Sequence, residues 1–86
     1  MAKFVETAGT LTNNTVSLAA TDRRGLIVAN PSDTVMTCRF GATASATAGI
    51  PIAANEAICL MGPDAPDDSV SVFCAGTSKA YTIYEW

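Results

Sequence analysis

The chain has 86 residues, a formal charge of −3 and no histidine, with 15 % charged and 49 % hydrophobic residues. That length fits one domain, residues 1–86, and a domain of this size buries roughly 60–65 % of its unfolded surface. The acidic balance speaks against a nucleic-acid partner, because phosphate binding needs a basic patch and Arg23-Arg24 is too small to make one.

Residues 1–8 read as an N-terminal arm or an edge strand, with Phe4 and Val5 as its large apolar anchors. The first ten residues, MAKFVETAGT, carry Glu6 where a signal peptide needs a continuous apolar run, so synthesis in a cytosol and reduced thiols are expected. No stretch reaches the length of a membrane span, and no membrane partner is expected. Gly9 and Asn13-Asn14 are turn signals. Thr10-Leu11-Thr12 and Thr15-Val16-Ser17-Leu18 around them alternate polar and apolar, the period of a half-buried strand. Residues 19–24 form a polar connection.

Gly25-Leu26-Ile27-Val28-Ala29-Asn30 is a continuous apolar run, which predicts a strand covered on both faces. Pro31 ends it, and Asn30-Pro31-Ser32-Asp33 has type I turn chemistry, with Asn30 and Asp33 placed to bond nearby backbone. From Thr34 to Phe40 the alternation returns and puts Met36, Cys38 and Phe40 on a core face. Residues 41–49, GATASATAG, contain nothing large, so a mobile surface loop is expected there. Pro51 confines Ile50-Pro51-Ile52 to an edge or a strand end. After a turn at residues 53–56, Ile58 and Leu60 face one way, Cys59 and Met61 the other. Residues 62–69, GPDAPDDS, are a loop. Val70, Val72 and Cys74 then share a face, residues 75–78 turn the chain, and residues 79–86 make a final strand rich in Tyr, Thr and Ile. Seven or eight short antiparallel strands and no helix predict an all-β domain, a sandwich or jelly-roll-like barrel.

The candidate chemistry is thin. Asp64, Asp67 and Asp68 cluster in one loop, but their spacing matches no calcium loop and two prolines interrupt them, so a solvated acidic loop is expected. Cys38, Cys59 and Cys74 are too far apart for a zinc site, which wants close pairs, and no histidine is present to activate a thiol. They read as buried structural thiols, with one exposed thiol as the alternative. Asp22, Arg23 and Arg24 read as exposed turn charges; an anion site or an intersubunit ion pair is the other reading. Trp86 closes an aromatic strand, which points to a terminus tied into the core or into a subunit contact. No metal, no cofactor and no enzyme activity are expected. With metal and disulfides set aside, oligomerisation is the expected source of added stability.

One pattern goes further. Arg23-Arg24-Gly25-Leu26-Ile27-Val28-Ala29-Asn30-Pro31-Ser32-Asp33-Thr34, then Phe40-Gly41, then Ile52 to Glu56, then Glu85-Trp86 resembles small β-sandwich virion proteins of tailed bacteriophages, most of all capsid decoration (cement) proteins. The resemblance covers residues 23–86 and brings no catalytic residues with it. It implies a structural protein on the outer surface of a capsid, bridging copies of the major capsid protein and self-associating as a homotrimer. Phe4, Arg23, Arg24, Tyr84 and Trp86 are then the candidate interface residues. A tail, vertex or head-fibre component is the alternative within the virion, and a carbohydrate- or host-surface-binding module the alternative outside it.

Overall fold

The computed structural model describes residues 4–86, so Met1 to Lys3 of the expected arm lie outside the described residues. Eight strands follow in order: β1 (Val5–Leu11), β2 (Asn14–Leu18), β3 (Gly25–Asn30), β4 (Met36–Phe40), β5 (Ile50–Ile52), β6 (Glu56–Met61), β7 (Val70–Cys74) and β8 (Lys79–Glu85). A single 3-10 turn, Gly62–Asp64, is the helical element among the described residues. Two four-stranded sheets result, one ordered β1-β8-β3-β6 and the other β2-β7-β4-β5.

The pairing rule is simple. First pairs with last, second with seventh, third with sixth and fourth with fifth, all antiparallel. This is one long hairpin folded back on itself, and ladders between β3 and β8 and between β4 and β7 join its arms into sheets. The expected all-β sandwich is therefore a jelly roll.

Alternation along the strands fills the space between the sheets. Leu11, Leu26, Val28, Tyr81 and Ile83 come from one sheet, and Met36, Cys38, Ile52, Val70, Val72 and Cys74 from the other. Enclosing a side chain such as Leu26, Met36 or Ile83 is worth about 1.5–3 kcal/mol each in transfer free energy. Pro51 sits on β5, at the edge of its sheet, where a missing N–H costs no ladder bond.

Four expectations need correction. Gly9 lies inside β1 and turns nothing; it stands opposite Tyr81, whose hydroxyl is 3.2 Å from where a Cβ would be, so a larger residue would push the Tyr81 ring aside by a few tenths of an ångström. Strand β3 is covered on one face only: Leu26 and Val28 are buried, while Ile27 and Ala29 on its other side are half-buried. Its apolar run reflects an apolar outer surface, not a second covering layer.

The loop of residues 41–49 is tied down by polar groups instead of bulk. The Thr37 hydroxyl donates to the Ser45 carbonyl (2.6 Å), and the Ala44 N–H donates to the Ser71 hydroxyl (2.9 Å). Ala44 is left 3 % exposed, and Thr37 and Ser71 are buried beneath the loop. The turn at residues 30–33 also exceeds its expected role. Asn30, 1 % exposed, donates to the carbonyls of Thr34, Ile52 and Ala53 and accepts from the Ser32 N–H and hydroxyl. It fastens β3 to the end of β5. Asp33 bonds the side chains of Lys79 and Thr34, where a bond to nearby backbone was expected.

Candidate interaction surface

The two sheets differ on their outer sides. The residues 41–49 loop lies across the outside of β4 and β7. On the other sheet the registers β1–β8, β8–β3 and β3–β6 align the outward-pointing residues in rows. One row runs Glu6, Tyr84, Ile27, Cys59, and the next runs Ala8, Thr82, Ala29, Ala57. At the end of the sheet Trp86 exchanges backbone hydrogen bonds with Gly25, which itself pairs with Met61. Nine apolar side chains or glycines, one hydroxyl, Thr82, and one charge, Glu6, thus make up these three rows, with Phe4 beside them.

Phe4, Tyr84 and Trp86 gather at that end. The Phe4 and Trp86 ring centroids are 4.9 Å apart at 55°, and Phe4 meets Tyr84 edge-on at 6.3 Å and 88°. The Trp86 ring lies flat over Gly25, where a Cβ would fall 2.0 Å from its Cζ2 atom. Trp86 is therefore fixed on the outer surface of the sheet and not in the core. The Tyr84 hydroxyl donates to Glu6 across the strand pair, and that carboxylate pushes the Tyr84 pKa up. Phe4 remains 67 % exposed and Met61 58 % exposed.

Of the five residues singled out in the sequence, these three come together and the two arginines do not join them. Arg23 was expected as an exposed turn charge, and the structure overturns this: its side chain is 1 % exposed. Nε donates to Glu85 (2.9 Å), Nη1 to the carbonyls of Pro66 and Asp68, and Nη2 to the Ala19 carbonyl. The Asp67 carboxylate accepts the Arg23 backbone N–H at 3.2 Å. Arg23 thus ties two loops to the end of β8, and its charge is spent within the chain. Arg24 is exposed and acts through its backbone, donating to the Trp86 carbonyl and accepting from the Gly62 N–H.

Ile27, Cys59 and Met61 share the aromatic face, and sequence reasoning did not connect them to it. Their alternation was visible, but only the register of four strands shows that they form one surface with Trp86. Cys38 and Cys74 are buried as expected, whereas Cys59 is exposed. Among the described residues no group of three or more His, Cys, Asp or Glu side chains converges to hold a metal. A shallow depression of about 300 Å³ lies beside Ala29, Pro31, Asn55 and Ala57 at the far end of β3 and β6. It is open and mainly apolar, without converging acid–base groups. No protein-family model matches the chain, and no curated protein matches it.

Proposed function

We propose that the chain is a non-enzymatic structural protein of a phage virion, which binds the outer surface of the capsid and stabilises it by bridging capsid subunits. One observation carries this reading: among the described residues the outer face of the β1-β8-β3-β6 sheet is mainly apolar and no loop lies across it, while the opposite sheet's outer face carries the chain's own loop. A protein in solution gains nothing from holding Phe4, Met61 and Trp86 on one surface, and such patches mark contact sites. The jelly roll is used by capsid proteins and lectins alike, so fold alone does not choose between them.

The rings favour a protein partner over a sugar. Phe4 is inclined to Trp86 by 55° and stands nearly perpendicular to Tyr84, so the three do not present the parallel faces on which sugar rings stack. They instead form an irregular apolar relief of the kind buried in protein interfaces.

Quantitative mass spectrometry of purified virions, measured against the major capsid protein, tests this. A shell-covering protein appears in hundreds of copies, at a simple ratio to the capsid subunit. A few copies, up to a few tens, would assign it to the tail, a vertex or a fibre. Absence from the particle would overturn the virion reading.

A further inference from the structure

Among the described residues strand β6 is an outermost strand with β3 as its one partner in the sheet. Its last five residues, Ala57-Ile58-Cys59-Leu60-Met61, are all apolar, without charge, proline or glycine. Natural sheets blunt free edges with lysine, proline, short length or a bulge. Strand β5, three residues long and centred on Pro51, is blunted in this way. Strand β6 is not.

The open backbone groups can be identified. The Gly62 N–H donates to the Arg24 carbonyl at 2.8 Å, one step beyond the β3–β6 ladder. In an antiparallel ladder bonded pairs alternate, so Ile58 and Leu60 bond to β3. The N–H and C=O groups of Ala57, Cys59 and Met61 therefore point away from the sheet.

We propose that this edge pairs with the same edge of a second copy, antiparallel, about a two-fold axis through Cys59. That register sets Ala57 opposite Met61, Ile58 opposite Leu60 and Cys59 opposite Cys59 of the second copy, so every facing pair is apolar. Side chains keep to their own faces, because residues directly opposite one another in an antiparallel pair point the same way. Glu56 falls beyond the paired segment, so no like charges meet. A register centred one residue earlier would set Glu56 against Leu60 and lose this match. Pairing also shields Ile58 and Leu60, which this edge leaves half-buried. The contact is isologous and closes at two copies, which sets it apart from the threefold association that the family resemblance implies. It stands whether or not the protein belongs to a virion.

Native mass spectrometry and light scattering of the purified protein read the stoichiometry, and mild oxidation reads the register. Bonded antiparallel pairs hold their Cα atoms about 5.5 Å apart, inside the range a disulfide spans. The expected result is a particle of two copies that oxidation converts to a covalent dimer through Cys59. Cys59→Ser should lose the covalent link and keep the dimer. Cys59→Lys should give a folded single copy, since its exposed side chain contributes nothing to the core while two ammonium groups would face each other at the axis. A single copy or a trimer for the unmodified chain would overturn the proposal. So would a dimer that Cys59→Lys leaves intact.

Discussion

Replacing Arg23 by methionine keeps most of the aliphatic stem and removes the guanidinium. Four donated hydrogen bonds are then lost, one to Glu85 and three to the carbonyls of Ala19, Pro66 and Asp68. The Glu85 side chain is 15 % exposed, so its carboxylate is left with little water and without its partner. Breaking a buried pair from one side costs about 3–5 kcal/mol, because the remaining charge is uncompensated. In a domain of this size each kcal/mol moves the midpoint by about 4–8 °C, so the melting temperature should fall by roughly 20 °C. Urea unfolding with calorimetry measures both quantities. Two companions separate charge from tethering. Arg23→Lys keeps a cation near Glu85 but lacks the planar fork that reaches two loops, so it should recover only a minor part of the loss. Glu85→Gln keeps an acceptor for Nε and leaves the three carbonyls on the guanidinium, but removes its counter-charge, so it should cost less than Arg23→Met without being neutral. A cost below about 1 kcal/mol for Arg23→Met, as for an exposed pair, would refute this account. Equal costs for Arg23→Met and Glu85→Gln would show that the ion pair, not the tether to the loops, holds this end together.

Two further outcomes are expected. Gly25→Ala should expel the Trp86 ring from its seat, because the added Cβ would fall 2.0 Å from Cζ2. Trp86 is the chain's single tryptophan, so its emission should move to longer wavelength, with a stability loss of about 1–3 kcal/mol; unchanged emission would disprove the stacking. Burial pushes the Cys38 thiol from 9.0 up to about 11. The folded state thus holds its proton more tightly than the unfolded chain, so this contribution to stability is complete below pH 9 and is lost as pH rises through about 11. Urea midpoints measured across that window should fall less steeply in Cys38→Ala, and identical slopes would refute the assignment.

Local rules carried the reading of individual strands. Alternation put Met36 and Cys38, then Val70, Val72 and Cys74, on inward faces, because a period of two survives any topology. Pro51 marked an edge because a missing donor is a local fact. What failed depended on distant partners. Gly9 reads as a turn until Tyr81, seventy-two positions later, is set opposite it. Arg23 reads as a surface charge until residues 66, 68 and 85 converge on its nitrogens. The 41–49 loop has no bulky anchor of its own, and the Ser71 hydroxyl that fixes it belongs to another strand. The candidate surface was half legible in the same sense: Phe4, Tyr84 and Trp86 stood out as aromatics near the termini. Strand order was needed to set Met61 and Cys59 beside them.

The nested pairing of first strand with last also governs how the chain reaches its fold. The innermost hairpin, β4 with β5, closes over a short loop, and each outer ladder must enclose everything already paired. Strand β1 has β8 as its one neighbour, so during synthesis it has no partner until the residues around 79–85 have been made. The edge of β3 that will pair with β8 waits equally long. Closing the longest loop last makes this a topology of high contact order, whose folding belongs in the millisecond-to-second range instead of microseconds. Throughout that interval the apolar edge of β6 is already available, so pairing between incomplete chains competes with the arrival of β8.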